Sequence, residues 1–128
     1  MRIAQPTFKN TLVNADRNRI AQVLTNLIAN AINYSEENKG LVKIKFFDMD
    51  ERILIEVEDN GMGIPEDSIN RIFERFYRVD KHRARDVGGS GLGLAICKNI
   101  IMVAHNETLN VRSTLGQGSV FSFTLKKA

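Results

Sequence analysis

Three sets of residues carry types and spacings that could do chemistry. The first is Gly88-Gly89-Ser90-Gly91-Leu92-Gly93-Leu94, four glycines within six positions, followed by the helix-forming run Ala95 to Ile101. A glycine loop feeding a helix N-terminus turns N–H groups outward at the positive end of the helix dipole, and such an end attracts phosphate. Without a Cβ the backbone can close on phosphate oxygens and can hinge. Taken alone, the same run equally describes a flexible surface loop before an ordinary helix.

The second set is Gln22, Asn26, Asn30 and Asn33, which recur at steps of four and three and so share one stripe of a helix. Asparagine is a poor helix former, and a solvated stripe would ordinarily carry Lys, Glu or Arg, so the amides invite a functional reading beside the plain one of solvated polar residues. The third set is Asp59-Asn60-Gly61-Met62-Gly63-Ile64-Pro65. A carboxylate at a strand's end, followed by Gly61 and Gly63 that admit close approach, can hydrogen-bond a flat heterocycle. Asp-Asn-Gly is also strong turn chemistry by itself.

The elements that must position these residues follow from periodicity. Thr7 to Val13 reads as a leading strand, and Asn14-Ala15-Asp16 offers caps for a helix whose buried face is Ile20, Val23, Leu24, Leu27, Ile28, Ala31 and Ile32. Tyr34-Ser35 and the polar run to Gly40 end that helix. Leu41 to Asp48 and Arg52 to Glu58 form a hairpin around Asp48-Met49-Asp50-Glu51. Pro65-Glu66-Asp67 starts a short amphipathic helix through Ile69, Ile72, Phe73 and Phe76 to about Tyr77. Arg78 to Gly89, charged and aperiodic, reads as a mobile lid. A helix from about Leu92 to Ala104 precedes a closing hairpin, Thr108 to Ser113 and Ser119 to Leu125, around Leu115-Gly116-Gln117-Gly118. This order predicts an α+β fold, a two-layer sandwich with helices covering one face of a mixed, mostly antiparallel sheet.

Composition narrows the partners. The 128 residues fit one domain, 1–128, and 43% hydrophobic with 26% charged residues is a soluble globular composition. The N-terminus lacks the apolar core of a signal peptide, and a cytoplasmic domain is the expectation. A net charge of +3 is too small and too local for a nucleic-acid face. The basic residues Arg71, Arg75, Arg78, Lys81, Arg83 and Arg85 cluster beside the glycine loop, which suits a polyphosphate. The lone Cys97 falls in a helical apolar pattern and is read as a buried structural thiol.

Together these segments resemble, over nearly the whole chain, the catalytic ATP-binding domain of sensor histidine kinases. That family shares the Bergerat-type fold with gyrase, the ninety-kilodalton heat-shock chaperone and mismatch-repair ATPases. Asn26 to Ser35 resembles the N box, Asp59 to Pro65 the first glycine box, and Ile72 to Asp80 the F box. Gly89-Ser90-Gly91-Leu92-Gly93-Leu94 resembles the second glycine box and Gly116-Gln117-Gly118-Ser119 the third.

The resemblance implies that Asp59 takes the adenine amino group, with Gly61, Gly63 and Ser119 around the same base and Ile64 and Ile28 walling its pocket. It implies that Asn30, with Asn26 beside it, serves Mg²⁺. Tyr34 would line the ribose–phosphate side, Arg78 would reach the polyphosphate from the lid, and backbone N–H groups from Gly91 through Leu92 and Gly93 to Leu94, after Gly89, would hold it. Asn33 stands where many relatives carry a lysine; Lys81, Arg83 or Arg85 would have to replace that contact. His105-Asn106-Glu107 departs from the family's His-Gly-Gly, so His105 is read as a helix-end residue rather than a phosphoacceptor.

In the wider ATPase group a glutamate four residues before the magnesium asparagine activates water. Here that position is Asn26, which cannot take a proton. The resemblance therefore implies a domain that holds Mg-ATP and donates its γ-phosphoryl group to a histidine on a separate dimerisation domain, from which a response regulator's receiver domain is served. The isolated domain is expected to be a monomer, and the full-length kinase could place it at the cytoplasmic face of a membrane. Two other readings stand beside this one: a stand-alone serine kinase of the anti-sigma type, and a nucleotide-sensing module without catalysis.

Overall fold

The computed structural model describes residues 2–3, 12–35, 40–77 and 92–128. The expected lid, Arg78, Lys81, Gly89 and Gly91 lie outside the described residues, as does most of the expected strand from Thr7; of that strand, Val13 makes an isolated bridge to Lys127.

Helix α1 spans Arg17–Asn33. The side chain of Asp16 accepts from the N–H groups of Asn18 and Arg19, both at 3.1 Å, a cap worth about 1 kcal/mol. Val23, Leu27 and Ala31 are fully buried along one face, flanked by half-buried Ile20, Leu24 and Ile28. Ile32, expected on that face, is exposed: one residue beyond Ala31 it is turned about 100° away from the core.

The sheet has the order β1-β2-β3-β5-β4. Strand β1 is Arg2–Ile3, paired parallel to β2, Val42–Met49. Strands β2 and β3, Arg52–Asp59, form the expected hairpin over a turn in which Asp50 takes φ 65° and its N–H is held by the Asp48 carboxylate at 3.0 Å. Strands β4, Leu109–Thr114, and β5, Gly118–Lys126, form the closing hairpin, and β5 pairs antiparallel with β3. The predicted mixed, mostly antiparallel sheet is thus present.

Alternation decides which residues face the helices. Ile53, Ile55 and Val57 of β3, and Phe121, Phe123 and Leu125 of β5, are buried with Val23, Leu27, Cys97 and Ile101 from the helical layer. The opposite face carries ion pairs, Lys45–Glu58 at 3.3 Å and Arg112–Glu56 at 3.2 Å. No helix among the described residues is long and apolar enough to cross a membrane.

Two expected helices differ. The stretch from Pro65 to Tyr77 is a chain of turns, held by i→i−3 bonds such as Ser68 N–H to Pro65 O and Arg71 N–H to Ser68 O. Its amphipathic spacing is real, because Ile72 is buried and Phe73 packs edge-on against Phe121. A segment this short gains little from helical propagation, and the Tyr77 hydroxyl bonded to Ser68 at 2.8 Å draws its ends together. Phe76, counted on the apolar face, instead has φ 64° and is exposed.

The helix predicted from Leu92 to Ala104 is α-helical only over Gly93–Lys98, here α2, and widens to a π-helix over Asn99–Ala104. The Ile100 carbonyl then receives the His105 N–H at 3.1 Å and lies 2.9 Å from His105 Nδ1. His105 Nε2 accepts from the Asp16 N–H at 3.0 Å, so the proton is on Nδ1. His105 therefore ties the end of one helix to the start of α1.

Candidate functional site

Asp59, Ser119 and Ser113 occupy matching positions on neighbouring strands, since Asp59 pairs with Ser119 and Ser119 with Ser113. All three follow the alternation of the core face, so a polar row closes an otherwise apolar surface at one end of the sheet. Asp59 and Ser119 are both buried. The Asp59 carboxylate accepts the Gly61 N–H at 2.9 Å. Burial pushes this carboxyl above its ordinary range and Glu58 adds to that, while the Gly61 and Ser119 N–H groups pull it back.

The first glycine box is clamped between α1 and the β4–β5 turn. Met62 donates to the Tyr34 carbonyl at 3.1 Å, and Gly116 donates to the Met62 carbonyl at 2.7 Å. A Cβ on Gly61 would collide with the Tyr34 carbonyl, and one on Gly63, at φ +74°, with that of Thr114. Ile64 follows, buried, its N–H held by Ser113 Oγ at 2.7 Å.

Beside this corner lies a cavity lined by Asn30, Tyr34, Ile64, Ile72, Tyr77, Leu94 and Phe121. It brings together Asn30 from α1, the cap residue Tyr34 that follows it, Ile64 from the glycine box and Leu94 from α2. Ile28, expected to wall the base pocket, is half-buried against the core and is not among the residues that line this cavity. Asn26, half-buried, donates from Nδ2 to the Gly93 carbonyl at 3.3 Å, which joins the amide stripe to the first residue of α2. Asn33 is half-buried beside the α1 cap residue Tyr34. Leu92 precedes α2 as its N-cap and offers no side-chain oxygen to the first-turn N–H groups.

Sequence reasoning missed Ile72, Tyr77 and Phe121 as lining residues, and Ser113. Ser113 was within reach of simple counting, because a hairpin closing on Leu115 to Gly118 sets it opposite Ser119. Arg71, counted among the phosphate-seeking cations, is engaged elsewhere, with Glu74 at 3.0 Å and over the Tyr77 ring at 4.6 Å. Among the described residues no three His, Cys, Asp or Glu side chains gather to hold a metal.

Residues 15–128 match the family described as histidine kinase-, DNA gyrase B- and HSP90-like ATPases. Sensor histidine kinase WalK of Bacillus subtilis is 42% identical over 118 residues, which are 91% of this chain and 19% of WalK. The chain thus spans about a fifth of the length of that relative. The nucleotide-free catalytic domain of histidine kinase ThkA superposes with a TM-score of 0.78 at 35% identity, covering 98% of this chain and 76% of that one. ThkA in complex with the response regulator protein TrrA gives a TM-score of 0.79 at 33% identity, covering 99% of this chain and 34% of that one. Full-length ShkA in complex with AMPPNP gives 0.78 at 32% identity, covering 98% and 25%. With its sheet order, its clamped glycine box and a match running from Ala15 to the last residue, the chain belongs to the histidine kinase-, DNA gyrase B- and HSP90-like ATPase family.

Proposed function

We propose that residues 1–128 act as the catalytic domain of a two-component sensor kinase, binding Mg-ATP and passing its γ-phosphoryl group to a histidine on a separate dimerisation domain. The observation that carries this reading is the acceptor corner of Asp59 and Ser119 beside an apolar cavity that also holds Asn30 and the start of α2. The AMPPNP complex of ShkA and the response-regulator complex of ThkA support it by analogy.

In this reading the Asp59 carboxylate accepts the adenine amino proton, with Gly61, Gly63, Ile64 and Ser119 around the ring. Tyr34 and Asn33 border the ribose and phosphates, and the first-turn N–H groups at Gly93 and Leu94, after Gly89, Gly91 and Leu92, face the polyphosphate. Arg78 and Lys81 would supply cationic charge there. The donor set fits magnesium, because Asn30 is an uncharged oxygen ligand and ATP brings the anionic oxygens; Asn26 stands one turn away. Bound magnesium would neutralise phosphate charge. Phosphoryl transfer needs alignment and charge stabilisation more than covalent help. The bond from the γ-phosphorus to the bridging oxygen breaks, ADP leaves, and an imidazole nitrogen of the acceptor forms the new bond and loses its proton. Asn26 cannot deprotonate water, so the site favours an incoming nucleophile over hydrolysis.

A receiver domain would take the phosphoryl group next, and the need for ATP places the domain on the cytoplasmic side. The test is to mix the chain with labelled ATP and a dimerisation domain from a related kinase. An acid-labile, base-stable product on the acceptor is expected. Absence of Mg-ATP binding by calorimetry would remove the reading, and an acid-stable product would favour a serine kinase.

A further inference from the structure

We infer that Ser113 is a positioning residue which, by directing the proton of Ser119, fixes the base corner as an all-acceptor surface and so selects a 6-amino purine over a 6-oxo purine. This rests on the nucleotide reading above and concerns which base the same site accepts.

Among the described residues Ser113 Oγ has three hydrogen-bonding neighbours: the Ile64 N–H at 2.7 Å, the Gly118 carbonyl at 2.9 Å and Ser119 Oγ at 2.9 Å. A hydroxyl has one proton and two acceptor positions. The Ile64 N–H can only donate and the Gly118 carbonyl can only accept, so the one Ser113 proton goes to Gly118. The remaining acceptor position then takes the Ser119 proton. With its proton committed, Ser119 Oγ can offer a ligand only lone pairs.

Its neighbour in register, Asp59, is also an acceptor, its carboxylate oriented by the Gly61 N–H at 2.9 Å. Two adjacent acceptors complement an exocyclic amino group. A carbonyl at the same position would face them with no proton between, and a buried polar mismatch is what gives a site strong discrimination. The arrangement is braced on both sides, because Ile64 belongs to the glycine box and Gly118 to the β4–β5 turn. A Cβ on Gly118 would strike the Asp59 carbonyl.

The experiment is calorimetry of Mg-ATP and Mg-ITP, which differ in the amino or oxo group at C6, against the parent, Ser113→Ala, Ser113→Thr and Asp59→Asn. The parent should prefer ATP by about tenfold or more. In Ser113→Ala the Ser119 hydroxyl is released to turn its proton toward a carbonyl, so the ratio should fall to within about threefold. A merely structural role would weaken both ligands together and leave the ratio in place. Ser113→Thr, which keeps the hydroxyl on a strand-compatible side chain, should restore the preference.

A ratio unchanged in Ser113→Ala but flattened in Asp59→Asn would overturn the role of Ser113 while keeping the base assignment. Equal binding of ATP and ITP by the parent would overturn the selection itself. Failure of the parent to bind either nucleotide would instead remove the function proposed above. If Ser113→Ala shows no cooperative unfolding transition, Ser113→Cys, nearly isosteric and a much weaker hydrogen-bonding group, is read by the same ratio.

Discussion

The glycines at the two ends of the site are constrained by different things. A Cβ on Gly61 would run into the Tyr34 carbonyl and one on Gly118 into that of Asp59, whereas a Cβ on Gly93 would meet, among the described residues, nothing closer than Asn26 at 3.9 Å. At the Asp59 end the absence of side chains is demanded by the packing of the protein on itself. At the α2 end the described residues leave room for a methyl group, so packing among them does not require glycine there. The first end is fixed by packing among the described residues, and at the second those residues leave room.

The largest expected effect separates these two ends by stability. Gly61→Ala and Gly118→Ala should each cost about 3 kcal/mol or more in denaturant unfolding, the second also because φ is +138°. Gly93→Ala should leave stability within about 1 kcal/mol of the parent, while weakening Mg-ATP binding by about tenfold. A Gly93→Ala protein as destabilised as Gly61→Ala would break the comparison.

Asp59→Asn sharpens it from the base end. Replacing an acceptor by an amide that can present its donor should weaken ATP binding by about tenfold or more in calorimetry. Stability should move the other way. Burial raises this carboxyl, so its contribution to folding is fully present below its ordinary range near 3.8 and is lost as pH rises through the elevated folded value. The parent should therefore lose Tm relative to Asp59→Asn as pH increases from about 4 toward neutrality. A parent that gains on the variant over that range would sink the burial argument.

Asn30→Ala tests the opposite end. Its oxygen acts through the cation in the reading proposed here, so affinity for ATP should fall about tenfold in magnesium and little in EDTA. Equal losses in both would assign Asn30 to the helix rather than to the site.

The smallest effect concerns Cys97, which is buried near the end of α2 with its thiol 3.7 Å from the Val23 carbonyl. Burial pushes this thiol up to about 12, so native protein at pH 8 should resist alkylation and unfolded protein should not. Rapid native alkylation would show that the contact between α1 and α2 opens readily.

The sequence by itself determined the elements whose partners are close in the chain. Asp16 capping α1, the Val23–Leu27–Ala31 face, both hairpins and the turn at Gly116 all follow from spacings of a few residues, where local sterics and hydrogen bonds decide.

Only the tertiary structure decided the rest. The turns from Pro65 to Tyr77 replace a helix because contacts to Ser68 and Phe121 outweigh weak local preference. The π-helix at Asn99–Ala104 lets the Ile100 carbonyl serve His105, which in turn reaches back to Asp16. The two sides of Ile28 and Ile32 look alike in an apolar pattern, yet one packs on the core and the other is exposed, because the sheet covers only part of the helix circumference. The direction of the Ser119 proton depends on Ser113, Ile64 and Gly118, brought together by strand pairing and by the glycine box, and a hydrogen-bond network closed across three segments has no expression in any one of them.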